Sequence, residues 1–101
     1  MDKQLSVTAS KAQAGLTPAS RFPSMLAAID IGSNSFRLEI AEVHKGRYKR
    51  VDYLKETVRL GGGLDAHGQL TEEATQRGLA CLARFAQRLR GFAPWQVRAV
   101  A

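Results

Sequence analysis

LAAIDIGSNSFRL, residues Leu26 to Leu38, joins an apolar run to an alternating one through a short polar turn. The run from Met25 to Ile29 is apolar at every position, which predicts a central strand buried on both faces. Asp30 closes it with a carboxylate. Gly32-Ser33-Asn34-Ser35 comes next, and then Phe36, Leu38 and Ile40 alternate with Arg37, Glu39 and Ala41. This period of two predicts a second strand, Ser35 to Val43. The unit is strand, tight turn, strand. Glycine in such a turn lets a ligand approach the backbone, and successive N–H groups can form an anion-binding nest. Ser33, Asn34 and Ser35 add hydroxyl and amide donors, while Asp30 suits a hydrated divalent cation. The same residues equally suit an ordinary hairpin whose polar side chains only satisfy the turn.

Two other phosphate-binding loops are excluded by spacing. A Walker A loop needs G-x-x-x-x-G-K-[ST], and a dinucleotide turn needs G-x-G-x-x-G opening a helix. Neither pattern occurs, and the residues after the turn have the period of a strand.

Downstream, His44-Lys45-Gly46-Arg47 predicts a hairpin turn into a third strand, Tyr48 to Leu60, whose alternation slips near Tyr53-Leu54 as at a bulge. Gly61-Gly62-Gly63 ends this meander and reads as a hinge, with a cleft-facing loop as the alternative. Thr71 is placed to cap a helix with Glu72 and Glu73 in its first turn. Ala74, Gly78, Leu82, Phe85, Leu89 and Phe92 recur at helical spacing as a buried stripe. Arg77, Arg84 and Arg88 fall off that stripe and read as a solvated face. Gly91 and Pro94 end the helix, and Trp95 is expected to cover the corner. Gln96 to Ala101 then predicts a last strand, parallel to the first. Residues 1–24, rich in Ser, Ala, Thr and Lys, read as a flexible basic tail with no apolar core of a secretory signal. Residues 25–101 form one small α/β domain in the order β-β-β-α-β.

A chain of 101 residues supports one domain, and its net charge of +6 suits a polyanionic partner without choosing among polyphosphate, nucleotide and nucleic acid. One cysteine, Cys81, leaves no internal disulfide and is expected as a packed thiol in a reducing cytosol. His44 and His67 are far apart and read as loop residues, not as a metal pair.

The segment AAIDIGSNSFRL resembles the first phosphate loop of the exopolyphosphatase and guanosine pentaphosphate phosphohydrolase (Ppx/GppA) family. The likeness continues through ETVRLGGGLDAHGQLTEEATQRGLACLARFAQRLRGF. There Arg59-Leu60-Gly61, Gly63-Leu64 and Leu70-Thr71-Glu72-Glu73-Ala74 match the family's pattern in order, so it covers residues 25–101. It implies the opening β-β-β-α-β portion of an actin-like domain, of the sugar-kinase and heat-shock ATPase, ribonuclease H-like type, cut short. It further implies that the full-length protein is a cytoplasmic, homodimeric hydrolase. That enzyme would release terminal phosphate from inorganic polyphosphate or guanosine pentaphosphate with Mg²⁺. Asp30 would organise the metal or the attacking water, and Gly32, Ser33, Asn34 and Ser35 would hold the phosphate. Arg37, and with it Arg59, would neutralise it. The family's catalytic glutamate and second glycine-rich loop are expected beyond Ala101, so this stretch is expected to be inactive by itself. Glu72 and Glu73 explain themselves as helix-start residues and are not substitutes. Two other functions fit parts of the sequence. One is a sugar or acetate kinase of the same fold. The other is a small basic nucleic-acid-binding domain, for which the arginines lack interleaved aromatics.

Overall fold

The computed structural model describes residues 4–6 and 20–101. They form a five-stranded sheet in the order β1-β5-β2-β3-β4, with one long helix packed on one face. The strands are β1 (Gln4–Ser6), β2 (Met25–Ile31), β3 (Ser35–His44), β4 (Arg47–Thr57) and β5 (Val97–Val100), and the helix is α1 (Glu72–Arg88). The β2-β3-β4 meander is antiparallel and β5 lies parallel to β2, as the alternation and the intervening helix require.

The apolar pattern sets which way the sheet faces. Ala27 and Ile29 of β2, Phe36, Leu38 and Ile40 of β3, and Val97 and Ala99 of β5 share one face. They meet Cys81 and Phe85 of α1 in one core. The helix starts at Thr71, whose Oγ1 accepts from the Ala74 N–H at 3.1 Å. Of the expected stripe, Ala74, Gly78 and Phe85 are buried and Cys81 joins them, while half-buried Leu82, and Leu89 and Phe92 beyond the helix end at Arg88, pack against the same core. Along the rim, Arg84 and Arg88 reach across to β4, where Glu56 and Asp52 receive them; Arg84 Nε lies 2.9 Å from Glu56 Oε2 and Arg88 Nη1 2.6 Å from Asp52 Oδ2. These arginines therefore do not form a plain solvated face. Glu56 and Asp52 are spaced along β4 to meet two arginines set one helical turn apart on α1. Among the described residues, no helix is long and apolar enough to cross a membrane.

Strand β2 is buried on one face only, not on both as its apolar run predicts, with Leu26 and Ala28 exposed on the face that α1 does not cover. Three further expectations change. The bulge lies at Val51, because Ile40 pairs with Asp52 and Ala41 with Arg50. Arg47 to Val51 are all exposed, so no burial sets their phase, and regular alternation begins only at Asp52. The second change is at the tail. Gln4–Ser6 adds an antiparallel strand to β5. Residues 20–24 pack onto the domain: Arg21 N–H donates to Gly91 O at 2.8 Å, and the Phe22 and Phe92 rings lie 5.6 Å apart. The rest of the expected tail, residues 1–3 and 7–19, lies outside the described residues.

The third change exchanges Trp95 for its neighbour. Trp95 is 61% exposed, whereas Gln96 is 2% exposed and stands in a 3₁₀ turn, Pro94–Gln96, ahead of β5. Gln96 Nε2 donates to Phe22 O at 2.6 Å and Met25 O at 2.7 Å, and its Oε1 accepts from Ala93 N–H at 2.7 Å. One amide thus ties the helix exit to the entry of β2. Replacing it leaves the buried Ala93 N–H without its partner and takes one donor from each of two part-buried carbonyls, of which Phe22 O keeps the Met25 N–H. Gln96→Ala is expected to lower stability by about 2–3 kcal/mol in urea denaturation. A loss below about 0.5 kcal/mol, the scale of an ordinary surface change, would contradict this role.

Candidate functional site

The turn between β2 and β3 is closed by its own backbone, with Gly32 N–H donating to Ser35 O at 3.1 Å. A Cβ at Gly32 would lie 2.9 Å from that same oxygen, so the closure requires glycine. Ser35 is buried, while Ser33 and Asn34 are exposed at the tip. The tip is braced by the segment after β4. Asn34 O accepts from the N–H groups of both Val58 and Arg59 at 2.8 Å, and Ser33 O accepts from Gly61 N–H at 2.8 Å. The turn's outer carbonyls are therefore already satisfied. What remains for a ligand at the tip is a Ser33 hydroxyl and an Asn34 amide, with Gly32 and Ser35 behind them.

This bracing also ends β4 at Thr57, short of the Leu60 expected from alternation. Consecutive N–H groups of a strand point to opposite sides, so two that converge on one oxygen cannot continue a ladder. Arg59 accordingly adopts a left-handed backbone, φ 56°, which costs a non-glycine residue about 1–2 kcal/mol. The glycines after it are not an extended hinge, since Gly61–Gly63 makes a 3₁₀ turn against the tip. A Cβ at Gly63 would lie 2.3 Å from the Ala74 Cβ, so glycine there is a packing requirement of the helix start. A Cβ at Gly62 would meet nothing closer than 4.0 Å.

Asp30 and Arg37 face each other across the β2–β3 ladder, beside the tip. Their side chains are 55% and 43% exposed and approach to 3.7 Å, a solvent-screened pair that a ligand can separate at small cost. The fold thus gathers Asp30, Gly32, Ser33, Asn34, Ser35, Arg37 and Arg59 around one turn, the first six through the hairpin and Arg59 through the backbone of Asn34. Among the described residues no cluster of three or more His, Cys, Asp or Glu stands ready for a metal. Asp30 alone fits an ion such as Mg²⁺, which keeps several waters and binds through one or two carboxylates plus phosphate oxygens.

The family model described as the Ppx/GppA phosphatase family matches residues 39–101. The chain belongs to the Ppx/GppA phosphatase family. A Haemophilus influenzae protein named as a candidate exopolyphosphatase is 48% identical over 67 residues, 66% of this chain and 21% of its own length. The exopolyphosphatase of Cytophaga hutchinsonii superposes with a TM-score of 0.61 at 35% identity, over 64% of this chain and 21% of that one. The Aquifex aeolicus Ppx/GppA enzyme gives 0.66 at 29% identity, over 74% and 25%. The chain therefore spans between a fifth and a quarter of the length of these relatives. Its sheet and helix are the opening portion of the actin-like domain of Ppx/GppA phosphatases, as the resemblance implied.

One residue that braces the candidate site was not found by sequence reasoning. Arg77 donates from Nε to Val58 O at 3.0 Å and from Nη2 to Arg59 O at 3.3 Å, with Nη1 on Glu73 Oε1 at 3.1 Å. It stands one position before Gly78, just as Arg84 precedes Phe85 and Arg88 precedes Leu89, so the sequence carries no signal that sets it apart from those arginines. Cys81 behaves as expected of a packed thiol. Burial first, then the Glu56 carboxylate, pushes its pKa up from 9.0 to about 11. It is fully buried and stays protonated at neutral pH, which rules it out as a nucleophile there.

Gly63→Ala is expected to cost about 1–3 kcal/mol in urea denaturation and Gly62→Ala less than about 0.5 kcal/mol; equal effects would restore the plain hinge. Cys81 is expected to resist iodoacetamide at pH 8 until denaturant is added. Because its folded pKa is raised, stability falls as pH climbs from 9.0 toward about 11, where only the unfolded thiol has ionised. Cys81→Ala should remove that alkaline loss.

Proposed function

We propose that the full-length protein is a phosphohydrolase that releases terminal phosphate from inorganic polyphosphate, with guanosine pentaphosphate as the other candidate substrate. The observation that carries this is the braced turn. Its glycine-closed backbone and satisfied carbonyls offer an incoming anion donors rather than competing acceptors, and two arginines flank it. Membership of the Ppx/GppA phosphatase family and the exopolyphosphatase names of its relatives support the same reading. Water attacks the terminal phosphorus, the anhydride P–O bond breaks, and a chain shorter by one phosphate leaves. Such a reaction asks the protein chiefly to position the phosphate and spread its charge. Ser33 and Asn34 hold the terminal group, with Gly32 and Ser35 shaping the cradle. Arg37, released from Asp30, and Arg59 neutralise the oxygens. Asp30 is the residue that would hold Mg²⁺, whose positive charge lowers the repulsion between water and phosphate.

No residue of this stretch is assigned as the base that takes the proton from water. Glu56 is held by Arg84, Glu73 by Arg77, and Glu72 sits at the helix start. The base is proposed to lie in the remainder of the full-length protein, as are the cytoplasmic location and homodimeric state that the resemblance implies.

The test is titration of the ¹⁵N-labelled chain with inorganic tripolyphosphate in the presence and absence of Mg²⁺. Shifts are expected at Gly32 to Ser35 and at Arg59. Ser33→Ala and Asn34→Ala should each weaken binding about 3- to 10-fold, the worth of one hydrogen bond, with no steady release of phosphate from any form. Steady release abolished by Asp30→Ala would overturn the assignment of the base elsewhere. Binding of a DNA or RNA oligomer that ignores both substitutions would favour the nucleic-acid function.

A further inference from the structure

The two peptide groups at Val58 and Arg59 are engaged on both sides. Their N–H groups go to one oxygen, that of Asn34 in the turn. Their carbonyls go to one guanidinium, that of Arg77 in α1. Two residues of backbone therefore join the helix to the tip of the candidate phosphate site. Arg59, at the centre of this link, holds a left-handed backbone. A guanidinium suits this place because its planar fork reaches both carbonyls at once, while Nη1 stays on Glu73. Lysine carries its three N–H donors on one nitrogen and lacks the separated Nε and Nη2 that meet the two oxygens here.

We propose that Arg77 is a positioning residue for phosphate. By holding the carbonyls of Val58 and Arg59 it keeps Arg59 in its left-handed turn, and through the Asn34 carbonyl it fixes the Ser33–Asn34 tip against which a terminal phosphate lodges. Arg77 itself touches no ligand. This rests on the phosphate-binding reading of the turn. Because coupling between sites is reciprocal, phosphate at the tip also tightens the Val58 and Arg59 link.

The experiment compares wild type, Arg77→Lys and Glu73→Gln as ¹⁵N-labelled chains. Inorganic tripolyphosphate affinity and amide hydrogen exchange are read residue by residue. Arg77→Lys is expected to weaken tripolyphosphate about 3- to 10-fold and to speed exchange at Arg59 and Gly61 about 10-fold, with the β2–β3 ladder amides unchanged. Glu73→Gln keeps the carbonyl bonds and is expected to match wild type in both readouts. Arg77→Lys that leaves affinity and exchange as in wild type overturns the proposal. Uniformly faster exchange across the sheet also overturns it, because Arg77 would then only support the fold. So does a Glu73→Gln effect as large as that of Arg77→Lys. A wild-type chain that binds no tripolyphosphate would overturn the phosphate reading itself, and is distinguishable because it precedes any comparison of variants.

Discussion

The Asn34 carbonyl takes the N–H groups of both Val58 and Arg59, and much of the chain's course depends on that shared acceptor. A regular strand would send those two groups to opposite sides. Their convergence stops β4, puts Arg59 in the left-handed region, and turns the chain from the sheet edge toward the helix face. Gly61 then closes on Ser33, and Gly63 meets Ala74 at the start of α1. The helix is thereby set down at a fixed point. Its stripe falls on Phe36 and Leu38 because of where it begins as much as because of its own periodicity.

The site and the core share parts for this reason. Phe36, buried beneath the helix, is the residue after Ser35, whose carbonyl closes the turn. Arg77 lies one residue before Gly78, which packs on the Phe36 ring. Farther along, Arg84 and Arg88 draw the helix to β4 through Glu56 and Asp52. The Glu56 carboxylate is held below its usual pKa range, chiefly by the hydrogen bond from Arg84, and these rim pairs are partly exposed. Such pairs fix alignment more than they add stability. The apolar contact of Phe36, Leu38, Cys81 and Phe85 supplies the stability.

The other face of the sheet is different. Leu26 and Val100 are 44% and 38% exposed there, and Trp95 stands nearby with most of its ring in solvent. The composition of β2 is apolar on both faces, yet α1 covers one face only. A strand's sequence records that both faces are apolar. It does not record what lies against each.

Local pattern alone determined a good deal. Period-2 alternation from Phe36 gave β3, the Met25 run gave β2, and Thr71 with the stripe gave α1, because each depends on neighbours within a turn or two of chain. The residue types of the Gly32–Ser35 turn, with Asp30 and Arg37 beside it, were legible for the same reason. The tertiary structure alone decided the end of β4, the bulge at Val51, the burial of Gln96 and the grip of Arg77. Each depends on a partner distant in sequence: Asn34 for Val58, Phe22 and Met25 for Gln96, and Val58 and Arg59 for Arg77. A hydrogen bond across such a distance leaves no periodicity in the chain that makes it.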